Sequence, residues 1–409
     1  MRPLRVALLV FLVLAGVSVN RASAQETTDP AENTEQGRFR LGPLRFTPSI
    51  ALSDLGADSN VFNEQQNPKQ DSTAAIGPAV NLWMNLGPAR MTGKASGQYL
   101  YFSEYESQRA WNTTDDARLE LPLARLKPFI GGSYSNTKQR PGFEIDSRAH
   151  LRTQSVYLGT TVVLSGKTSL VLTGTRSRLA FDDGETFLGA DLASALNRRT
   201  DSEELKLRFK LTSLTTLVAG VEAVQDRFAL DALRDANSVK VLPGFELRPS
   251  ALISGTIFVG FRQFDGLSPA LPDYQGPIAA VDAKYIAGST RFGVKVNRDL
   301  AYSYEPTQPY YALTDLGLIV TQRISAAWDL IGRTGWQSLA YQQLQSSALA
   351  SSERTDTIRE YGGGVAYRLG QAMRLGFDAI YYQRESSQVA LRAFEGLRFG
   401  ASVSYGLPQ

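Results

Sequence analysis

Residues 204–211 read ELKLRFKL. Leu205, Leu207, Phe209 and Leu211 alternate with Glu204, Lys206, Arg208 and Lys210. Successive side chains of a strand point to opposite faces, so this ribbon is apolar on one side and charged on the other. A soluble sandwich would put the leucines in a core and the charges in water. A barrel in a membrane would put the leucines in lipid and the charges in a wet lumen.

The same ribbon recurs along the chain. Ala117, Leu119, Leu121 and Leu123 alternate with Arg118 and Glu120, and Val239, Val241, Phe245 and Leu247 share a face opposite Lys240 and Glu246. Phe292, Val294 and Val296 flank Lys295, while Met373, Leu375, Phe377, Ala379 and Tyr381 flank Arg374 and Asp378. A packed interior does not take charges at this density, because burying an unpaired ion costs several kcal/mol. Turning them to lipid costs about 2–4 kcal/mol per basic residue at the bilayer midplane. A water-filled lumen accepts them. The candidate lining is therefore Lys94, Arg118, Glu120, Glu204, Lys206, Arg208, Lys210, Lys240, Glu246, Lys295, Arg374 and Asp378. Basic residues are ahead in this set, which leans toward anions; mutual pairing across strands is the plainer explanation of each.

The ends of the chain agree with export. MRPLRVALLVFLVLAGVSVNRASAQ has arginines at 2 and 5, an apolar run from Val6 to Val17, and Ala22-Ser23-Ala24. That is the layout of a secretory signal peptide, residues 1–24, cut before Gln25. The apolar run falls short of the roughly 20 residues that a spanning helix needs. Removing three of the 43 basic residues leaves 40 against 40 acidic ones, so the mature chain is formally neutral. The basic balance belongs to the leader and gives no reason to expect nucleic-acid binding. With no cysteine, disulfides, thiolate metal sites and a lipid-modified N-terminal cysteine are excluded. Abundant glycine, tyrosine and phenylalanine favour strands, turns and interfacial aromatics.

Residues 25–42 are polar and aperiodic, and read as a flexible periplasmic linker. From residue 43 to 409 one rhythm persists, with about eighteen alternating segments between Leu44 and Tyr405. Tight turns such as NLGPAR (85–90), SGK (165–167), AGS (287–289) and LGQA (369–372) alternate with longer links at 54–71, 139–149, 182–200, 265–276, 302–311 and 343–355. Short periplasmic turns and longer external loops characterise outer-membrane barrels. The expected fold is an all-β, transmembrane, antiparallel up-and-down barrel of about 18 strands; a missed hairpin would make it 16 or 20. A propeller also has many short strands, but its stacked sheets would not carry charges mid-strand, and no repeat of 40–50 residues is present. Tyr99, Tyr101, Tyr105, Trp111, Trp328, Trp336, Tyr361, Tyr367 and Tyr381 gather toward strand ends, as interfacial girdles do.

A barrel of this size encloses an aqueous bore, whereas eight strands are filled by their own side chains. Transport is therefore the default expectation, and an enzyme is not. The single histidine, His150, has Ser155 nearby but no third group to orient it and no oxyanion donors. No phosphate-cradling loop, cofactor motif or metal-spaced ligand set is apparent. Within 182–200, ADLASALNRR could form a short helical turn, either inside the bore as a constriction or outside as a cap. The polar stretch 54–71 is explained by turn chemistry.

Two stretches carry resemblances. RFGASVSY (398–405 after Leu397) is similar to the C-terminal assembly signal of outer-membrane barrels, through Arg398, Gly400, Val403 and Tyr405, although the tail GLPQ follows the aromatic. LGPLRFTPSIALSDLGADSNVFNE (41–64), with Pro48-Ser49 and Asp58–Phe62, resembles the beta-barrel porin 2 family associated with bacterial exopolysaccharide systems. That resemblance implies a Gram-negative outer-membrane conduit that exports a polysaccharide. Its partners would be outer-membrane lipid, the barrel assembly machinery and periplasmic export proteins, which the linker 25–42 could recruit. A diffusion porin for small hydrophilic solutes or anions is the alternative.

Overall fold

The computed structural model describes residues 37–344, 354–387, 389 and 392–406. The signal peptide 1–24 and most of the linker 25–42 lie outside the described residues. Eighteen long strands build the barrel. The first six are β1 (Leu44–Asp58), β2 (Asp71–Leu86), β3 (Ala89–Phe102), β4 (Ala110–Glu120), β5 (Leu126–Gln139) and β6 (Ala149–Val163). Next come β7 (Thr168–Phe181), β8 (Arg198–Lys210), β9 (Thr215–Phe228), β10 (Ala236–Leu247), β11 (Ile253–Gly266) and β12 (Tyr274–Ala287). The last are β13 (Thr290–Tyr302), β14 (Tyr310–Arg323), β15 (Trp328–Gln342), β16 (Thr355–Leu369), β17 (Met373–Ser386) and β18 (Phe394–Tyr405).

Each strand is antiparallel to its neighbour in sequence, and β18 returns to β1, pairing Ile50 with Tyr405 and Asp58 with Arg398. The sheet is closed and has no free edge. Strands of 11 to 16 residues exceed the roughly 9–11 that a tilted span requires, so their ends project beyond the hydrocarbon. Phe39–Leu41 adds a short strand beside the start of β1. No helix among the described residues is long and apolar enough to cross a membrane. The one α-helix among the described residues, Leu192–Leu196, is capped by Asp191, whose carboxylate accepts the Ser194 N–H.

The faces settle the question raised by ELKLRFKL. Leu207 and Phe209 are exposed, as are Val156, Leu158, Val239, Val241, Val259 and Phe261, while Glu204 is 4% and Lys240 6% exposed. Apolar side chains clothe the outside and charges line the inside, the inverse of a soluble sandwich. Trp111, Tyr99, Tyr101 and Tyr361 stand exposed on the outer face toward the loop end, and Trp328 packs against Tyr367 at the turn end with the two rings tilted. Tyr105 lies beyond β3, in a short turn, with its ring edge-on to Phe62.

Two boundaries differ from the sequence expectation. The link expected at 54–71 begins only after Asp58, because a bulge between Ser53 and Leu55 resets the alternation and lets β1 continue. Asp54 takes a left-handed conformation there (φ 53°). Gly56 then lies so close to β18 that a Cβ would sit 1.9 Å from the Phe399 carbonyl oxygen. β4, which the alternation of the sequence places from about residue 114, starts at Ala110, so Trp111 belongs to its outer face. Tight turns join the strands at one end; Gly87, at φ 61°, turns β2 into β3. Longer loops lie at the other end.

Candidate functional site

The inner wall is a charge network built by register. Glu204, Glu222, Lys240 and Arg262 are successive cross-strand partners on β8, β9, β10 and β11. Lys240 Nζ lies 3.2 Å from Glu222, and Asp299 of β13 reaches back to Lys240 at 3.0 Å and Arg262 at 2.7 Å. Lys206 pairs with Glu204 at 3.2 Å, Arg118 with Glu120 at 2.8 Å, and Arg208 with Glu246. Toward the turn end, Asp329 of β15 faces Arg368, with Arg374 at 3.9 Å, and Arg333 lies 3.6 Å from Asp378. Lys295 is 3.9 Å from Asp282. Lys94 is in register with Asp116, and Lys210 ends β8 in an exposed position. Opposite charges sit a strand apart because neighbouring inner positions are within reach of a long side chain.

The loop end is differently built. Loop 140–148, between β5 and β6, turns inward and meets side chains from β16 and β17, which lie on the far side of the β1–β18 seam. Arg384 of β17, 0% exposed, donates to the Phe143 carbonyl at 2.7 Å, to both Asp146 carboxylate oxygens at 2.9 and 3.0 Å, and to Asp356 at 2.6 Å. Arg354 donates to the same Asp356 oxygen at 2.8 Å and to its other oxygen at 3.1 Å. Arg392, from the loop after β17, donates to Asp146 at 3.0 Å, to the Glu144 carbonyl and to the Tyr304 hydroxyl. Glu144 accepts from the Ser303 hydroxyl at 2.6 Å and from the Tyr304 N–H at 3.2 Å. Arg234, from the loop after β9, binds the Ser303 and Glu305 carbonyls. Arg140 ties the same loop to Val61 at 2.8 Å.

Apolar packing completes the mouth. Ile145, Ala149, Leu151, Phe181, Phe187, Leu192, Ala193, Leu196 and Tyr304 form one buried cluster. The helical turn expected in 182–200 is thus real, and it folds inward onto loop 140–148. Deep burial there shifts ionisation. Glu144 is pushed up to about 7 by desolvation, against the pull of Ser303, Arg392 and Tyr304. Burial also raises Asp146 despite Arg384 and Arg392. Arg140 and Arg148 are lowered to about 10 and about 9, first by burial and then by neighbouring arginines.

The comparisons with known proteins agree with this geometry. Residues 36–406 match the model of the family described as "Putative beta-barrel porin 2". The chain belongs to this porin family. No curated protein matches it. Among solved structures it is similar to OccK2 (OpdF) from Pseudomonas aeruginosa, with a TM-score of 0.50 and 11% identity over 88% of this chain and 97% of that one. A BenF-like porin from Pseudomonas fluorescens Pf-5 gives 0.49 and 11% over 89% and 98%. The outer membrane protein opdK from Pseudomonas aeruginosa gives 0.48 and 10% over 88% and 98%. At such identities the likeness concerns the fold. This porin is accordingly a channel-forming protein of the Gram-negative outer membrane, from a family of channels rather than enzymes.

Within the porin, each expected lining residue falls on the inner face, and most sit beside an opposite charge. Sequence reading did not pick out Glu222, Arg262 and Asp299, although VEAV and GFRQF carry the same alternation. It also missed the mouth cluster of Glu144, Asp146, Arg384 and Arg392. His150 and Ser155 lie five residues apart on β6 and so face opposite sides; Ser155 bonds Ser133 at 2.8 Å. In the last strand, Arg398 faces inward onto Asp58 at 2.9 Å, while Tyr405 is exposed on the outer face. Among the described residues no cluster could hold a metal ion.

Proposed function

We propose that this porin is a passive channel for small hydrophilic solutes, with passage set by the loops interlocked across its mouth. The observation that carries this reading is the docking of loop 140–148 onto Arg384 and Arg392, with Arg384, Arg392 and Glu144 buried and Asp146 14% exposed. A polysaccharide chain needs a continuous bore along its whole path, so the export conduit is the weaker reading. The inner wall carries both signs, and the lead of basic residues in the expected lining narrows when Asp116, Glu222, Asp282, Asp299 and Asp329 are set against Arg262, Arg333 and Arg368, which supports mild ion selectivity. Insertion by the barrel assembly machinery, with Arg398, Gly400, Val403 and Tyr405 as its signal, is part of the same proposal.

Liposome swelling with the purified protein tests it. Monosaccharides and small organic acids should enter, and oligosaccharides should be excluded. A deletion strain should keep its surface and secreted polysaccharide while its uptake of small sugars slows. Loss of polymer with intact uptake would overturn the proposal and restore the export reading, along with its periplasmic partners.

A further inference from the structure

At the loop end the outer face of the barrel is not uniform. On β4, β3 and β16 it presents Trp111, Tyr99, Tyr101 and Tyr361. On β6, β7 and β8 it presents arginines instead. Arg152 lies on the same face of β6 as Val156 and Leu158, which are 59% and 62% exposed. Register places Arg178 opposite Gln154 and Arg176 opposite Val156. Arg199 lies on the face of β8 that continues into Leu205 and Leu207. These four arginines therefore lie just above the apolar band, with Asp201 and Glu203 between Arg199 and Leu205, on the side that meets the membrane and not the bore.

Their local partners do not use up the charge. Arg152 pairs with Asp182 at 2.5 Å, and Arg176 and Arg199 share Asp201 at 2.6 and 3.0 Å. Arg178 is exposed and makes no hydrogen bond or ion pair among the described residues. Glu203 also faces outward, one pair closer to the apolar band. Other outward cations are spoken for: Arg359 by Glu385 at 3.0 Å, Arg298 by Thr314, and Lys138 by the Ser107 carbonyl.

We infer that the outer wall at the loop end of β6–β8 docks the phosphorylated headgroup of the outer-leaflet glycolipid. The surface is continuous with the lipid-facing band, so its occupant lies in the plane of the membrane. That leaflet places phosphates just above the hydrocarbon boundary. Guanidinium groups match phosphate oxygens in planar, two-pronged geometry, and at this level they are partly shielded from water. A free phosphate would lack the acyl chains that Val156, Leu158, Leu205 and Leu207 can cover.

The test uses the full-length protein extracted from outer membranes in mild detergent, with bound lipid A measured by mass spectrometry. It is paired with addition of bisphosphorylated or dephosphorylated lipid A to the refolded, lipid-free barrel. Wild type should retain lipid A and be thermally stabilised only by the bisphosphorylated form. The triple variant R176Q/R178Q/R199Q should bind it at least tenfold more weakly, since each surface cation contributes roughly fivefold toward an anionic headgroup. R359Q, on the other side, should behave as wild type. Equal retention by the triple variant would overturn the inference. So would equal stabilisation by dephosphorylated lipid A, or a dimer that covers the patch.

Discussion

Replacing Arg384 by methionine should free the mouth of the porin. The side chain is fully buried and holds Phe143, Glu144 and Asp146 of loop 140–148 to Asp356 on the wall. Removing one partner of a buried ion pair costs about 3–5 kcal/mol, because the remaining charge is left uncompensated. Here Asp146 keeps Arg392 and Asp356 keeps Arg354, so the lower end applies. About 3 kcal/mol is a factor of about a hundred in the ratio of docked to undocked loop. The assay is single-channel recording in planar bilayers at neutral pH. R384M should show larger conductance or a greatly raised open fraction, while cold and heated samples still migrate differently on gels, as a folded barrel requires. Unchanged conductance in a folded R384M barrel would refute the idea that this contact holds the mouth.

The mouth should also respond to pH. Docking raises Glu144 from 4.5 to about 7, so the docked loop binds that proton more tightly than the free loop. Docking is then most favoured below about 4.5, weakens as pH rises toward 7 and is least favoured above it, a change of about 3 kcal/mol. Asp146 shifts in the same direction, while Arg140 and Arg148 titrate far above this window. Open fraction should therefore increase between pH 5 and 7.5 and lose most of that dependence in E144Q; a decrease with pH would contradict the sign. D299N leaves Lys240 and Arg262 facing the bore with one carboxylate fewer, so reversal potentials in a salt gradient should move toward anions; no shift would show that this network does not set selectivity. G56V should block closure of β1 on β18, since its Cβ would meet the Phe399 carbonyl, and the fraction that shows heat-modifiable migration should collapse.

The alternation of ELKLRFKL and its counterparts was enough for the fold, because in a strand the side-chain period is two and only one face can meet lipid. The strand count, the direction of the charges and the short-turn, long-loop rhythm all follow from that local rule. Where a local irregularity intervened, the sequence misled: the bulge at Asp54 shifts the alternation by one, so residues that read as loop are strand. The helical turn at Leu192–Leu196 was legible in ADLASALNRR, but not the side of the barrel it would fill. The mouth was not legible at all. Phe143, Glu144 and Asp146 look like ordinary loop residues, and their partners Arg384, Ser303 and Arg392 lie more than 150 residues further along the chain. Only closure of the sheet into a ring brings those residues together. The barrel is written in nearest-neighbour periodicity, and its mouth in contacts that exist only once the last strand has met the first.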